Sequence, residues 1–478
     1  MKSAIVVGAG FAGLAAALEL ARAGVAVTVF EAADRAGGRA QQLISPDGRF
    51  RFDMGPTVIV MIDALRNVLG DAAFAELGLR RLEPGYRVLW PDGARFDMHS
   101  DVALWFAELA RYQGSAGAPR ALDYLARVHE AHVESRRRIL EVDLGPAAAA
   151  RLLLRPGKLR PWAVDNLRRF TQRYFTHPRI VDALTFQTLY LGMSPRQSPA
   201  IYALLAAEEI VGGVWYAEGG TAAIVAAFVR ACERQTVRFH YGTPVTRIVI
   251  DSAKEVHVIA GGGVHRADAM VVAAHREPAL ERLFGTPSQR AGPRYGHSAI
   301  VYYLGLEGDV DLPHHSVYLP ADPWKSYAEL DAARVPVEPL VYVCNPARSD
   351  PPAAAGTSAL AVLAPVPNRR ALPAFDEEAL YGRVLQTIER HAGALRNRIV
   401  FRAQRGPREF ESELGLAHGA AFGPSHALTQ MGPLRPPIAY RGATHVAFAG
   451  SGTRPGSGVP LVLISGRLAA QHVLKALA

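Results

Sequence analysis

The sequence is poor in cysteine, has no long hydrophobic run and shows no internal repeat. Its two cysteines, Cys232 and Cys344, stand far apart in a chain of 478 residues. This spacing argues against a C-x-x-C redox mechanism and a zinc site built locally from cysteines. No window approaches the roughly 18 consecutive apolar residues of a membrane-spanning helix, and the first residues lack the pattern of a signal peptide. The sequence therefore predicts a cytoplasmic protein without a membrane span.

Length and charge narrow the class of protein further. A chain of 478 residues exceeds the size at which one hydrophobic core stops growing, so we expect two lobes. Lys and Arg number 53 against 44 Asp and Glu, a net charge of +9. This excess favours an anionic partner, which can be nucleic acid, an acidic ligand or the anionic face of a membrane.

The first 31 residues have the pattern of a nucleotide-binding unit. Residues 3–7 and 25–30 are typical of buried strands, and residues 14–23 are typical of the helix between them. Between the first strand and the helix stands GAGFAG, with Gly8, Gly10 and Gly13 in the G-x-G-x-x-G spacing. These glycines let the backbone approach a pyrophosphate, and Glu31 follows where a carboxylate can bind ribose hydroxyls. The sequence predicts a bound dinucleotide.

A second glycine pair identifies the dinucleotide. Gly37 and Gly38 are followed by Arg39, which gives a second backbone approach to the pyrophosphate with a cation beside it. A nicotinamide-binding fold does not need this loop. Here the sequence resembles the FAD-dependent superfamily that includes amine oxidases, protoporphyrinogen oxidase and carotene desaturases.

Further segments narrow the resemblance to the bacterial carotenoid desaturases, which act on phytoene or 4,4'-diapophytoene (dehydrosqualene). The matching segments are FDMGPT (52–57), FQTLYLG (186–192), PAIY (199–202), GVWYAEGG (213–220), VLAPVP (362–367), GAAFG (419–423) and AGSGTRPGSGVP (449–460). Arg454 departs from the histidine common in the family, and Val459-Pro460-Leu461 replaces Ile-Pro-Gly. Met54 and Val459-Pro460 resemble the thirty-carbon branch more than the forty-carbon branch.

The resemblance implies a fold, a reaction and partners. It implies an α/β fold (α+β mixed): a Rossmann-like FAD domain of the glutathione-reductase/amine-oxidase type with an interleaved substrate and membrane domain. We assign residues 1–80, 218–285 and 425–478 to the first domain and 81–217 and 286–424 to the second. The implied reaction is FAD-dependent desaturation of a linear isoprenoid by hydride transfer from an allylic carbon to the flavin, which oxygen or a quinone reoxidises. No metal is required, and the side chains of the adjacent His314 and His315 would diverge in a regular strand.

The resemblance also assigns flavin contacts. They are Gly8, Gly10, Phe11, Ala12, Gly13, Glu31, Gly37, Gly38, Arg39, Gly55, Pro56, Thr57, Val245, Gly450, Ser451, Val459 and Pro460. Val459 and Pro460 open the predicted final helix, whose N-terminal amides would stabilise negative charge on the reduced flavin ring. Val245 corresponds to the position whose backbone meets adenine.

Two residues are candidates for the proton transfer. Glu209 matches a family glutamate four residues before Gly213. A carboxylate beside an apolar tunnel has its pKa raised by desolvation, which suits it to acid/base work. The alternative is a solvated glutamate beside Glu208. Arg155 is a second catalytic candidate from its place in the helical insertion.

A basic segment predicts attachment to a membrane. Residues 151–173 contain seven Lys and Arg, including Lys158, against the single acid Asp165. In a continuous helix, Ala163, Leu167, Phe170 and Tyr174 would share one face. Such a helix binds the cytoplasmic leaflet of the inner membrane, although a solvated basic helix with inward leucines fits equally well. A nucleic-acid partner is disfavoured because no nucleic-acid module is present.

Alternative functions remain open from the sequence. The desaturase can act several times on phytoene or diapophytoene, or once, late, at the 3,4-position of a carotenoid. An amine oxidase would need an aromatic cage at the flavin and often a cysteinyl flavin link, and neither cysteine stands in a flavin loop. A carotenoid- or lipid-binding protein without flavin would be colourless when purified alone.

Overall fold

The computed structural model describes residues 1–155, 157–251, 255–286 and 293–478, apart from the side chain of Lys158. The strands are β1 (Ser3–Val7), β2 (Ala26–Phe30), β3 (Gln42–Ile44), β4 (Arg51–Asp53), β5 (Arg80–Arg81), β6 (Tyr86–Leu89), β7 (Arg95–Met98), β8 (Trp215–Tyr216), β9 (Arg238–His240), β10 (Val245–Ile250), β11 (Val256–Ala260), β12 (Gly263–Ala267), β13 (Ala269–Val272), β14 (Ser298–Glu307), β15 (His315–Tyr318), β16 (Val341–Cys344), β17 (Thr357–Val366), β18 (Ile399–Arg405), β19 (Ala439–Tyr440) and β20 (Ala443–Phe448). The α-helices are α1 (Phe11–Arg22), α2 (Ile62–Leu69), α3 (Asp71–Ala75), α4 (Val102–Gln113), α5 (Ala118–Ser135), α6 (Pro146–Leu154), α7 (Arg160–Val164), α8 (Leu167–Gln172), α9 (Pro178–Ala183), α10 (Ala203–Val211), α11 (Gly220–Arg234), α12 (Arg276–Arg282), α13 (Pro323–Asp331), α14 (Glu377–Ala392), α15 (Pro407–Ser412) and α16 (Val459–Leu477).

A largely parallel sheet with the order β19-β20-β13-β1-β2-β9 carries the first and last parts of the chain. β1 pairs in parallel with β2 and with β13, so the predicted βαβ unit is confirmed. α1 and α16 pack closely, because a Cβ at Gly466 would lie 2.2 Å from the Ala12 carbonyl oxygen. The two ends of the chain therefore meet beside the glycine turn.

Residues 245–250 and 256–259 have strand-like patterns that predict a return of the chain to this parallel sheet, but the two strands do not join it. They form β10 and β11 of a separate antiparallel sheet with β12. Each strand pairs with its neighbour along the chain, β10 with β11 and β11 with β12. The inward face of this small sheet packs Ile248, Val256 and Val258 against residues of the parallel sheet.

A second large sheet has the order β18-β14-β17-β16-β15-β6-β7. Its neighbouring strands are antiparallel except β6 and β15, which run parallel. A core of large side chains, including Trp105, Tyr124 and Phe175, joins β6 and β7 to the helices of the insertion. We call this sheet and these helices the second lobe.

The two sheets draw on different parts of the chain. Strands of the parallel sheet come from residues 3–30, 238–272 and 439–448, and strands of the second large sheet come from 86–98 and 298–405. The mixed α/β fold is thereby confirmed. The boundaries assigned to the two domains stay a prediction.

The basic segment 151–173 is not one helix. α7 ends at Val164, and α8 begins at Leu167 after Asn166, whose side chain accepts hydrogen bonds from the amides of Arg168 and Arg169. Leu167 and Phe170 are buried in the aromatic core. The expected single apolar face is therefore wrong, because the Asn166 cap starts a new helix.

No helix in the described part of the chain is long and apolar enough to cross a membrane.

Candidate functional site

The turn between β1 and α1 requires its glycines. Gly8 has a φ of +99°, and a Cβ at Gly13 would lie 1.9 Å from the Gly8 carbonyl oxygen. Phe11 and Ala12 begin α1 and are buried. Gly10 precedes them as the N-cap, and no described side chain caps this end of the helix. The first amides of α1 are thus available to a negatively charged group.

The second glycine pair lies directly against this turn. Gly37 and Gly38 have φ values of +130° and +57°. The Gly37 amide donates to the Ala9 carbonyl at 2.9 Å. A Cβ at Gly38 would stand 3.3 Å from the Gly10 Cα. The structure therefore brings together the two loops that the sequence assigned to one pyrophosphate.

Arg39 supplies a cation beside these loops that no described carboxylate neutralises. Its Nη1 donates to the Ala421 carbonyl and its Nη2 to the Ser451 hydroxyl, each at 2.8 Å. Burial lowers the pKa of Arg39. A buried guanidinium that contacts only neutral groups is suited to an anionic ligand. Arg39 and Ser451, separated by most of the chain, thus meet in one place.

Glu31 holds the other side of the turn. Its carboxylate accepts hydrogen bonds from the Ala9 amide at 2.7 Å and from the Ala33 amide at 2.9 Å. The Thr243 amide donates to the Glu31 carbonyl at 2.9 Å, which places the start of β10 at Val245 next to this residue. The acceptor oxygens of Glu31 retain lone pairs for further donors such as ribose hydroxyls.

The segment Gly55, Pro56 and Thr57 runs beside Arg39. A Cβ at Gly55 would lie 2.0 Å from the Arg39 carbonyl oxygen, so a larger residue does not fit. The Thr57 hydroxyl is 2.6 Å from the hydroxyl of Tyr342 in β16. This loop therefore links the glycine turns to the second large sheet.

The C-terminal loop closes the arrangement. Gly450 has a φ of +112°, and its amide donates to the Ser465 hydroxyl at 3.0 Å. α16 begins at Val459 and Pro460, both buried, as the sequence predicted. Its N-cap is Gly458, and no described side chain caps the helix.

Sequence reasoning missed two buried residues of this region, Arg435 and His275. Arg435 is 1% exposed and donates to the carbonyls of Ser451 at 2.5 Å and Thr453 at 3.1 Å; burial lowers its pKa to about 10. Neither ring nitrogen of His275 has a hydrogen-bond partner in the described residues, although Nδ1 is 3.9 Å from the Glu277 carboxylate. Burial, and then the charge of Arg39, lowers the His275 pKa to about 3. No local motif predicts these two residues as part of the site, because their contacts come from distant segments.

The family described as flavin containing amine oxidoreductase matches residues 11–474 of the sequence. This match begins just after Gly8 and Gly10 and includes Gly13, the second glycine pair, Arg39 and the C-terminal loop. The chain belongs to this family of flavin-containing amine oxidoreductases. The expectation of a flavin is confirmed, and the paired glycine loops with an unneutralised Arg39 fit FAD, which carries a pyrophosphate. We call residues 8–13, 31, 37–39, 55–57 and 450–460, where the sequence predicts most of the flavin contacts, the flavin cradle.

Relatives within this family match over almost the whole chain. A zeta-carotene-forming phytoene desaturase of Myxococcus xanthus is 35% identical over 98% of this chain and 93% of its own length. A phytoene dehydrogenase of Streptomyces griseus is 33% identical over 98% of this chain and 94% of its own length. A carotenoid 3,4-desaturase of Haloarcula japonica is 32% identical over 99% of this chain and 98% of its own length.

A solved structure supports the fold. An oxidoreductase from Methanosarcina mazei superposes with a TM-score of 0.65 at 16% identity, covering 99% of this chain and 100% of that one. At this identity the likeness concerns the fold alone.

Glu209 lies in the second lobe, on α10, and is 3% exposed. Its Oε2 accepts hydrogen bonds from the Tyr86 hydroxyl at 2.8 Å and from Gln187 Nε2 at 3.2 Å. Burial raises the Glu209 pKa to about 8, although these two hydrogen bonds oppose the rise. The alternative of a solvated glutamate is therefore wrong. A carboxyl group of this kind can hold or release a proton near neutral pH.

Aromatic residues lie beside this carboxyl group. The Phe186 ring lies between Tyr86 at 5.3 Å and Tyr190 at 5.8 Å, measured between ring centroids. Burial and then the Glu209 charge raise the pKa of Tyr190. Burial also raises the pKa of Tyr342, whose hydroxyl is 2.6 Å from that of Thr57 in the flavin cradle.

Arg155, the second catalytic candidate, is exposed and ends α6. Its carbonyl accepts a hydrogen bond from Arg138 Nη2 at 3.1 Å. No contact in the described residues connects it with Glu209 or the flavin cradle. Its catalytic role stays a prediction without structural support.

The expectation that His314 and His315 diverge is wrong. β15 begins at His315, so His314 precedes the regular strand and its ring is free to turn back. The two ring centroids are 4.5 Å apart at an interplanar angle of 70°. Cys344 also lies in this buried cluster, and Cys232 is buried in α11.

Proposed function

We propose that this chain is an FAD-dependent desaturase that introduces double bonds into a linear carotenoid precursor. The observation that carries this proposal is the 35% identity to a phytoene desaturase over 98% of the chain, which includes both lobes. Relatives named for phytoene at 33 and 35% identity favour the forty-carbon precursor. They outweigh the resemblance of Met54 and Val459-Pro460 to the thirty-carbon branch.

Each new double bond requires the loss of one hydride and one proton from neighbouring carbons. FAD, when bound, accepts the hydride at its flavin ring. The chain has to keep the isoprenoid in an apolar space and to receive the proton. Glu209 supports the second task, because it is a buried carboxyl group among aromatic side chains with a pKa of about 8.

The flavin cradle supplies the proposed cofactor contacts. The amides of α1 and the loop at Gly37 and Gly38 would hold the pyrophosphate with Arg39, and Glu31 would bind ribose hydroxyls. The start of β10 at Val245 lies on the adenosine side, next to Glu31. The amides at the start of α16 would stabilise negative charge on the reduced flavin ring.

A lipid-soluble substrate requires access to a membrane, and we infer peripheral attachment to the inner face of the cytoplasmic membrane. On α6, Leu153 and Leu154 are 51% and 82% exposed, and Val164 on α7 is 74% exposed. Arg151, Arg155 and Arg160 stand close to them in sequence, and within the described residues none of these three makes an ion pair. Exposed leucines with unpaired cations are typical of a surface that binds anionic lipid. Oxygen or a quinone of that membrane would reoxidise the flavin.

Expression beside a synthase tests the reaction and the chain length together. The full chain is expressed with a phytoene synthase in one strain and with a diapophytoene synthase in another, in a host without carotenoids. We expect visible absorption from longer conjugated polyenes in the phytoene strain. Strains that carry the synthase alone are the controls. Unchanged phytoene and diapophytoene, with flavin bound to the purified protein, would contradict the proposed substrate class.

A late 3,4-desaturation is the second candidate. The 32% identity to a carotenoid 3,4-desaturase over 99% of the chain favours it. Expression in a strain that already makes lycopene or a hydroxylated derivative separates the two candidate functions. Only the late enzyme leaves phytoene unchanged and extends the conjugated system of this coloured carotenoid. The amine oxidase alternative has less support, since Cys232 and Cys344 both lie outside the flavin cradle.

A further inference from the structure

Three buried donor side chains meet in the second large sheet. His314 precedes β15, His315 is its first residue, and Cys344 ends the neighbouring strand β16 directly opposite His315. They are 4%, 0% and 2% exposed. One ring nitrogen of each histidine and the Cys344 Sγ all lie within 4.8 Å of one another. The antiparallel pairing brings His315 and Cys344 together, and the early position of His314 adds the third donor.

In each histidine ring one nitrogen has a hydrogen-bond partner, and the other has none in the described residues. His314 Nδ1 is 2.8 Å from the Ser349 hydroxyl, and His315 Nδ1 is 2.7 Å from the Tyr342 hydroxyl. The Nε2 atoms of both rings have no partner in the described residues. Buried nitrogens rarely stay unpaired in native proteins, and an ion or a water molecule is the usual explanation.

The donor set indicates the kind of ion. Two imidazole nitrogens and one thiolate sulfur suit Zn²⁺ and similar borderline transition metals, whereas Mg²⁺ and Ca²⁺ need oxygen donors. The hydroxyls at the two Nδ1 atoms resemble the outer partners that usually orient metal-binding histidines. The other described donor cluster, Asp251, Glu255 and His257, is partly exposed and rich in carboxylates.

We propose that His314, His315 and Cys344 bind a zinc-type divalent ion, with a fourth position left to a water molecule. On binding, the Cys344 thiol releases its proton to solvent and its sulfur bonds the ion, without any change of oxidation state. The ion would link β15 to β16 through His315 and Cys344. Through Tyr342 it would also support Thr57 of the flavin cradle, because the two hydroxyls are 2.6 Å apart.

Metal analysis of the purified full-length flavoprotein tests this site without any assay of desaturation. The protein is incubated with Zn²⁺, separated from unbound metal and analysed by mass spectrometry of the elements. We expect one zinc per chain. After chelation, Co²⁺ should give ligand-field absorption bands at longer wavelength than the flavin, as in four-coordinate cobalt-substituted zinc sites, and a thiolate ligand shifts these bands to longer wavelength.

Variants assign the metal to the cluster. Cys344→Ser and His315→Ala should lose the ion, and Tyr342→Phe should weaken binding about 10- to 100-fold. Cys344→His keeps three ligands, so it should retain zinc and give cobalt bands at shorter wavelength than wild type. This variant separates loss of the thiolate from misfolding. Cys232→Ser, which removes the other buried cysteine, and His257→Ala should retain both zinc and the cobalt bands.

Two results would overturn the proposal. One is a wild-type protein that retains flavin but holds no stoichiometric metal after incubation, which would assign the unpaired nitrogens to water. The other is zinc that persists in Cys344→Ser and His315→Ala but disappears in His257→Ala, which would place it at the partly exposed cluster.

Discussion

The flavin cradle and the helical region from residue 102 to residue 211 contact their surroundings in different ways. In the cradle, backbone atoms lie against backbone atoms, as where Gly13 meets Gly8 and Gly37 meets Ala9. In the helical region, large side chains from distant segments pack together, as where Tyr124 meets Phe170 and Phe175. Contacts of the first kind depend on glycines at fixed spacing, whereas contacts of the second kind tolerate exchange of one apolar side chain for another.

Gly13→Ala is expected to have the largest effect, because it places a Cβ 1.9 Å from the Gly8 carbonyl oxygen. The backbone cannot make room for this Cβ without opening the turn. We therefore expect the free energy of unfolding to fall by about 3 kcal/mol or more and the bound flavin to be lost. The flavin-to-protein absorbance ratio and the melting temperature measure this. Gly382→Ala in α14 is the matched control, since its Cβ would meet nothing within 4 Å; it should be neutral or slightly stabilising. Full flavin content in Gly13→Ala would contradict our account of the cradle.

Glu209→Gln tests whether the helical region carries chemistry or only packing. The amide fills the same space and can accept the hydrogen bond from Tyr86, but it cannot take a proton. We expect kcat to fall about 100- to 10,000-fold while flavin content and melting temperature stay near wild type. Glu208→Gln is the matched control on the same helix, because Glu208 has no contact with Tyr86 or Gln187 in the described residues. Equal activity of Glu209→Gln and wild type would remove Glu209 from the mechanism.

The pH dependence of the rate sharpens the same test. Because burial raises the Glu209 pKa to about 8, the carboxylate form that can accept a proton is the minor form at neutral pH. The rate should therefore rise with pH, by up to about tenfold per unit below this pKa, and level off above it. Initial rates measured from about pH 6 to about pH 9 would show this rise. Glu208→Gln should retain the rise but move it to lower pH, because the Glu208 charge contributes to the raised pKa of Glu209. A rate that falls over this interval would indicate that Glu209 acts as an acid.

The sequence predicts the local glycine motifs of the flavin cradle better than the contacts that distant segments make. Gly8, Gly13, Gly37 and Arg39 stand in local motifs, and the structure brings their loops together as expected. Arg435 could not be found this way, because its carbonyl partners lie in residues that only the folded chain brings near. For Glu209 the sequence left a desolvated and a solvated carboxyl group open, because its partners Tyr86 and Gln187 come from β6 and a distant turn.

Helical periodicity misled for a related reason. Leu167 and Phe170 fit a helical face that begins at Ala163, but extended backbone at Asp165 and the Asn166 cap interrupt that helix. A single capping residue thus decides which side chains point outward. The same limit applies to His314, whose position just before β15 reverses the expected direction of its ring. In both cases the error lies at the boundary of an element, where the sequence pattern is weakest.

Membrane attachment is expected to show the smallest effect of a substitution, because it is shared among several exposed residues. Leu153→Ser with Leu154→Ser removes the exposed apolar side chains of α6 and should weaken binding to anionic vesicles by roughly 1 kcal/mol for each leucine. Arg151→Gln and Arg160→Gln should each cost about 1 kcal/mol, and only at low salt. Val337→Ser, at a residue 65% exposed in the turn before β16, is the matched control and should bind like wild type. Co-sedimentation with vesicles of neutral and of anionic lipid separates the two contributions: if the leucine variant binds as well as Val337→Ser, α6 does not touch the membrane, and the helical region meets its substrate through another surface.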